Sequence, residues 1–136
     1  MTPSKEDIRK QLRHLHYAVG ANEFFDEPSV RFAAANDPWF ERFHELIGPF
    51  HWTPQEALAA QAPKATAKTV ISWCMPKTQA ARESNRQEQQ RPSIAWARAR
   101  SYGEIANEAM RKQLCRYLEE LGFAAVAPHS HMSYPD

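Results

Sequence analysis

The stretch IAWARARSYGE, residues 94–104, places an arginine and a tyrosine four positions apart among small side chains. Residues i and i+4 share a helix face. Arg98 and Tyr102 therefore form a pair that can clamp a phosphate or an amide-rich cofactor, the guanidinium offering its planar fork of donors. Arg100 points away from that pair, and Trp96 precedes it. The same spacing also suits a solvated helix start whose arginines pair with glutamates of the preceding segment. Chemistry alone leaves both readings standing.

Other reactive side chains are scattered. His14 and His16 fall on different sides of a helix, and Gly48–Pro49 breaks any helical register between His44 and His51. His129 and His131 share one side of an extended segment near Tyr134 and Asp136, a loose match to metal-ligand usage with no third ligand at a telling spacing. Loop histidines near a strand end are the plainer reading. Cys74 and Cys115 have no CxxC partner, so this chain cannot present four thiolates to a cluster or a structural zinc. Both are expected to be reduced and buried, as free cysteine behaves like a small hydrophobe. There is no Gly-x-Ser-x-Gly elbow and no glycine-rich phosphate loop, and Glu119–Glu120 are adjacent and splayed.

With 136 residues, 43% hydrophobic and 24% charged, the chain has the length of a single domain, and its net charge of +1 gives no electrostatic case for nucleic acid or an anionic membrane. The opening MTPSKEDIRKQ has no secretory h-region, and no apolar run approaches the roughly 20 residues of a membrane span. These features point to a soluble, cytoplasmic protein.

The elements that must position the pair carry clear punctuation. Ser4 with Asp7 caps a helix bearing Ile8, Leu12 and Leu15, and Gly20 ends it. Residues 21–36 read as irregular. In NDPWFERFHELIG, Asp37 caps, Pro38 sits at N1 and Gly48 stops a helix with the apolar face Trp39, Phe40, Phe43, Leu46 and Ile47. Thr53, Pro54 and Glu56 repeat that grammar. KTVISWCMP, residues 68–76, reads as an interior strand covered on both faces. Residues 77–92 lack large apolar side chains and read as a solvated loop. From Ser93 to Leu121 a long helix follows, its apolar stripe assigned to Ile105, Ala109, Met110, Leu114, Tyr117, Leu118 and Leu121. Gly122 stops it, and FAAVAP reads as a second buried strand, parallel to the first.

The expected architecture is α/β: one domain over 1–136, a helical part at 1–62, then a strand–long helix–strand crossover at 63–136. So thin a sheet for such apolar strands suggests the N-terminal portion of a longer protein with a larger sheet. In such folds ligands bind at the carboxyl ends of strands, which makes the segment after FAAVAP a candidate ligand-binding loop.

HELIGPFHWTPQEAL, then VISWCMP, then SIAWARARSYGEIANEAMRKQLCRYLEELGFAAVAP resembles, in order and spacing, the N-terminal region of the epoxyqueuosine reductase-like iron–sulfur proteins. That family shares a corrinoid-binding fold with reductive dehalogenases. Its motif of the type Ala-Arg-x-x-Asp-Tyr-His is matched by Ala97-Arg98-Ala99-Arg100-Ser101-Tyr102-Gly103. The resemblance implies an oxidoreductase using a corrinoid (cobalamin) fed by two [4Fe–4S] clusters, whose cysteines would lie downstream of residue 136. It also implies that Arg98, Tyr102, Pro128 and His129 bind cofactor. Ser101 occupies the position of the family's acid, and Gly103 replaces the histidine. A serine hydroxyl is a poor general acid at neutral pH, and the near-zero net charge argues against tRNA as substrate. The alternative expectation is a non-catalytic interaction or dimerisation module, a homo-oligomer with no cofactor, which an uncovered apolar face would favour.

Overall fold

The computed structural model describes residues 1–128. Five helices and two strands run in the order α1 (Lys5–Ala18), β1 (Ser29–Ala34), α2 (Pro38–Ile47), α3 (Pro54–Ala59), β2 (Thr69–Cys74), α4 (Gln79–Gln87) and α5 (Ile94–Glu120), with a 3-10 turn at Ala21–Glu23. The class is mixed α/β, with a helical N-terminal half and a strand-to-long-helix succession from β2 to α5.

The helix boundaries follow the caps. The Ser4 hydroxyl accepts from the Asp7 N–H while the Asp7 carboxylate accepts from the Ser4 N–H at 2.8 Å, a reciprocal capping box. That N–H, with help from the hydroxyl, holds the Asp7 carboxyl below its ordinary pKa. Asp37 caps α2 ahead of Pro38, and Thr53 with Glu56 closes a second box on α3. Gly20 takes φ +78°, the left-handed conformation glycine adopts freely just past a helix end. Ser93 caps α5: its hydroxyl accepts the Trp96 N–H and its own N–H donates to Asn85 Oδ1.

The strands depart from expectation. β2 pairs with β1 in a two-stranded antiparallel sheet, continued by a bridge between Phe25 and Lys77. No residue of β2 is buried, so neither of its faces is fully covered, whereas Val30 of β1 in the same ladder is buried. β1 lies inside the segment expected to be irregular. Residues 123–127, expected to form the parallel partner of β2, adopt no strand, and the strand that pairs with β2 is β1. The 77–92 segment holds α4, capped by the Thr78 hydroxyl; glutamine, arginine and alanine are good helix formers even without an apolar stripe. Cys74 is exposed, as one of the unburied positions of β2. Cys115 is half-buried, and burial, with Glu119 beside it, pushes its thiol pKa up, away from thiolate chemistry.

The chain groups into two compact units. The first comprises Met1–Val30 with Trp73–Leu114. Its buried set includes Ile8, Leu12, Leu15, Ala21, Val30, Ala81, Ala99, Ala106, Met110 and Leu114. The buried positions of α5 are Ala99, Gly103, Ala106, Met110 and Leu114: Met110 and Leu114 of the expected stripe are buried, whereas Ile105 is 68% exposed and the first half of the helix buries its small residues instead. The second unit comprises Arg31–Ser72 and the segment beginning at Cys115. Among its described residues only Thr53, Ala57 and Leu58 are buried.

Candidate functional site

In the first unit a hydrogen-bonded chain fixes the Phe24–Phe25 segment beside α5. The buried His16 has Nε2 2.8 Å from the Phe25 carbonyl; the carbonyl can only accept, so Nε2 carries the proton and donates. The Asp26 N–H donates to Pro76 O and the Thr78 N–H to Phe24 O, tying the segment to the chain after β2. A Cβ on Gly103 would stand 2.6 Å from Phe25 Cζ, so the absence of a side chain there is what admits the Phe25 ring. Phe24 stacks on Tyr102 with ring centroids 6.4 Å apart.

This arrangement opens a cleft of about 230 Å³ lined by Phe25, Trp73, Met75, Lys77, Ala99, Arg100, Glu104 and Asn107. The Trp73 indole N–H donates to Asn107 Oδ1 at 2.9 Å, which assigns the Asn107 oxygen to tryptophan and leaves its NH₂ group as a donor. Lys77 Nζ lies 4.4 Å from the centroid of Trp96, a cation–π placement. Glu104 is engaged by Arg111 at 3.0 Å, and Arg111 is also paired with Glu108. Burial acts to lower the Arg111 pKa, but the hydrogen bonds it donates to Glu108 and Glu104, with their negative charge, outweigh it and raise the value overall.

The sequence-derived candidates occupy a different surface. Arg98, Ser101 and Tyr102 are exposed on α5, on the face that also carries Ile94 and Ile105, and Tyr102 is 57% exposed. Among the described residues Arg98 makes no ion pair, so the loop-glutamate pairing considered for it does not form. Pro128 is exposed and belongs to the second unit. His129 and His131 lie outside the described residues. Among the described residues no three His, Cys, Asp or Glu side chains gather into a metal-binding group.

Sequence reasoning missed Arg100, Glu104 and Asn107. Their i, i+4, i+7 spacing is itself a helix-face signal, but the cleft's other wall comes from Phe25 and the Trp73–Lys77 segment, which no local spacing connects.

The second unit presents a feature of another kind. In α2 no residue is buried, and Trp39, Phe43, Leu46 and Ile47 are exposed, joined by Phe50 just beyond the helix. Trp39 and Phe43 rings stack at a tilt 5.8 Å apart, forming a continuous aromatic surface. His44 Nδ1 lies 2.7 Å from the His51 carbonyl and 3.5 Å from Glu56, which holds the C-terminal end of α2 against the cap of α3.

No helix among the described residues is long and apolar enough to cross a membrane. No protein-family model, no curated protein and no solved structure matches the chain.

Proposed function

We propose that the chain is a non-catalytic interaction module that pairs with a second copy of itself through α2. One observation carries this: α2 buries none of its residues yet exposes Trp39 at 62% and Leu46 at 63%, with Phe43 and Ile47 between them. An apolar patch of several hundred Å² on a soluble surface marks a binding site more often than an accident.

Self-pairing is favoured by the pattern around that patch. In an antiparallel two-fold pairing of two α2 helices, Trp39 at one end meets the Leu46 end of the second copy. Arg42 flanks the patch and pairs with Glu45 of its own chain at 3.2 Å, so no unpaired arginine charge is carried to the edge of the contact. The patch is therefore complementary to itself in apolar character. A lipid surface fits less well, because the polar side of α2 carries Glu41 and Glu45 rather than a cluster of lysines.

Sedimentation equilibrium between roughly 1 and 100 μM tests the reading. A concentration-dependent dimer is expected, and Trp39→Glu or Leu46→Glu should return it to monomer with an unchanged far-UV spectrum. A wild-type chain monomeric throughout that range would overturn it.

A second proposal is the corrinoid-dependent oxidoreductase domain implied by the family resemblance. What supports it is that Arg98 and Tyr102 share an exposed face of α5, open to a large ligand. It predicts a saturable change in the visible spectrum of hydroxocobalamin on adding the protein, weakened by Arg98→Ala and Tyr102→Phe. A response that never saturates would remove the corrinoid from this chain.

A further inference from the structure

We infer that the cleft of the first unit is a binding site for a small aromatic carboxylate, independent of the α2 surface. The argument rests on which groups remain available inside the cleft.

Its donors all point to an anion. Among the described residues neither Lys77 nor Arg100 makes an ion pair; Lys77 rests over the Trp96 ring, which leaves Arg100 as the principal cation for an anion and Lys77 as the lesser one. Asn107 has its oxygen committed to the Trp73 indole, so its NH₂ adds a third donor. The lining's one carboxylate, Glu104, is held by Arg111, which it shares with Glu108, so Glu104 is turned toward α5's own cation rather than toward Arg100 or Lys77. An arginine fork holds a carboxylate or a phosphate with two parallel hydrogen bonds, and the choice between them falls to the rest of the lining.

The remaining lining selects the body of the ligand. Phe25, Trp73 and Met75 supply flat and polarizable apolar surface, and Trp73 is oriented by its bond to Asn107. A planar ring suits that floor by stacking on aromatic side chains and by sulfur–aromatic contact. The 230 Å³ volume lies below the roughly 300–1,000 Å³ of drug-sized pockets, so a single ring with its carboxylate is the scale that fits.

The test is calorimetric titration of the whole chain with benzoate, benzamide and inorganic phosphate. Benzoate should saturate at millimolar concentration or below. Benzamide, which has the ring without the charge, and phosphate, which has charge without the ring, should each bind at least about tenfold more weakly. Arg100→Ala should weaken benzoate about tenfold, Lys77→Gln less, and Arg98→Ala not at all. Titration of the Leu46→Glu variant should match the wild type, which separates this site from the α2 surface. The inference is overturned by an absence of saturable benzoate binding, by benzamide or phosphate binding as well as benzoate, or by affinity that survives Arg100→Ala in a folded variant.

Discussion

Met110→Ala is expected to lower the stability of the chain by about 2–5 kcal/mol, the range for deleting a fully buried large aliphatic side chain. Met110 is fully buried, one of the two largest side chains in the structure to be so. Preceding it on the same face of α5 are Ala106, Gly103 and Ala99, which are too short to swing into the space a truncation leaves. The cavity would therefore persist, and the cavity penalty adds to the lost transfer energy. Met110→Leu, which nearly conserves volume, should cost less than about 1.5 kcal/mol. Ile105→Ala, five residues away but 68% exposed, should stay within about 0.5 kcal/mol. Urea denaturation of the three variants checks the register of α5 directly: equal losses at 105 and 110 would mean that the helix is turned toward the stripe its large residues suggest.

That contrast explains what was legible in the sequence. Caps were read correctly at Ser4, Asp37 and Thr53 because capping is settled within four residues of chain and owes nothing to the rest of the fold. The face of α5 was read correctly at Met110 and Leu114 but not at Ile105, because hydrophobic periodicity gives weight to large side chains, whereas the first half of this helix buries Ala99, Gly103 and Ala106, whose smallness lets other groups approach. β1 was missed since SVRFAA is short and its burial does not alternate cleanly, and β2 was taken for an interior strand because an apolar run looks the same whether or not anything covers it. The amphipathic pattern of α2 was plain from Trp39 to Ile47, but a sequence shows which face is apolar, not whether that face is filled. The cleft was not legible at all: its two walls meet through the Trp73–Asn107 hydrogen bond, between residues 34 positions apart, and through the Phe25 ring set against Gly103, and no local pattern announces either.

Gly103→Leu should destabilise the chain by about 1–3 kcal/mol, although it exchanges the poorest ordinary helix former for one of the best. Propensity alone would return nearly 1 kcal/mol. Against that, a Cβ at 103 already stands 2.6 Å from Phe25 Cζ and 2.7 Å from Cε2, so the ring must leave. Its backbone cannot follow, because the Phe25 carbonyl accepts the His16 Nε2–H and the flanking residues are bonded to Pro76 and Thr78. The ring must swing while its backbone stays, and Phe25 is part of the cleft lining. The same substitution should therefore also weaken benzoate binding without touching a charged group. A double-mutant cycle with Phe25→Ala isolates the cause. If the ring is the obstacle, the paired variant recovers most of the loss, with a coupling energy on the order of 1 kcal/mol or more. Strictly additive losses would mean that Gly103 is kept for some contact other than the Phe25 ring, and that α5 can approach this segment no more closely for having a glycine there.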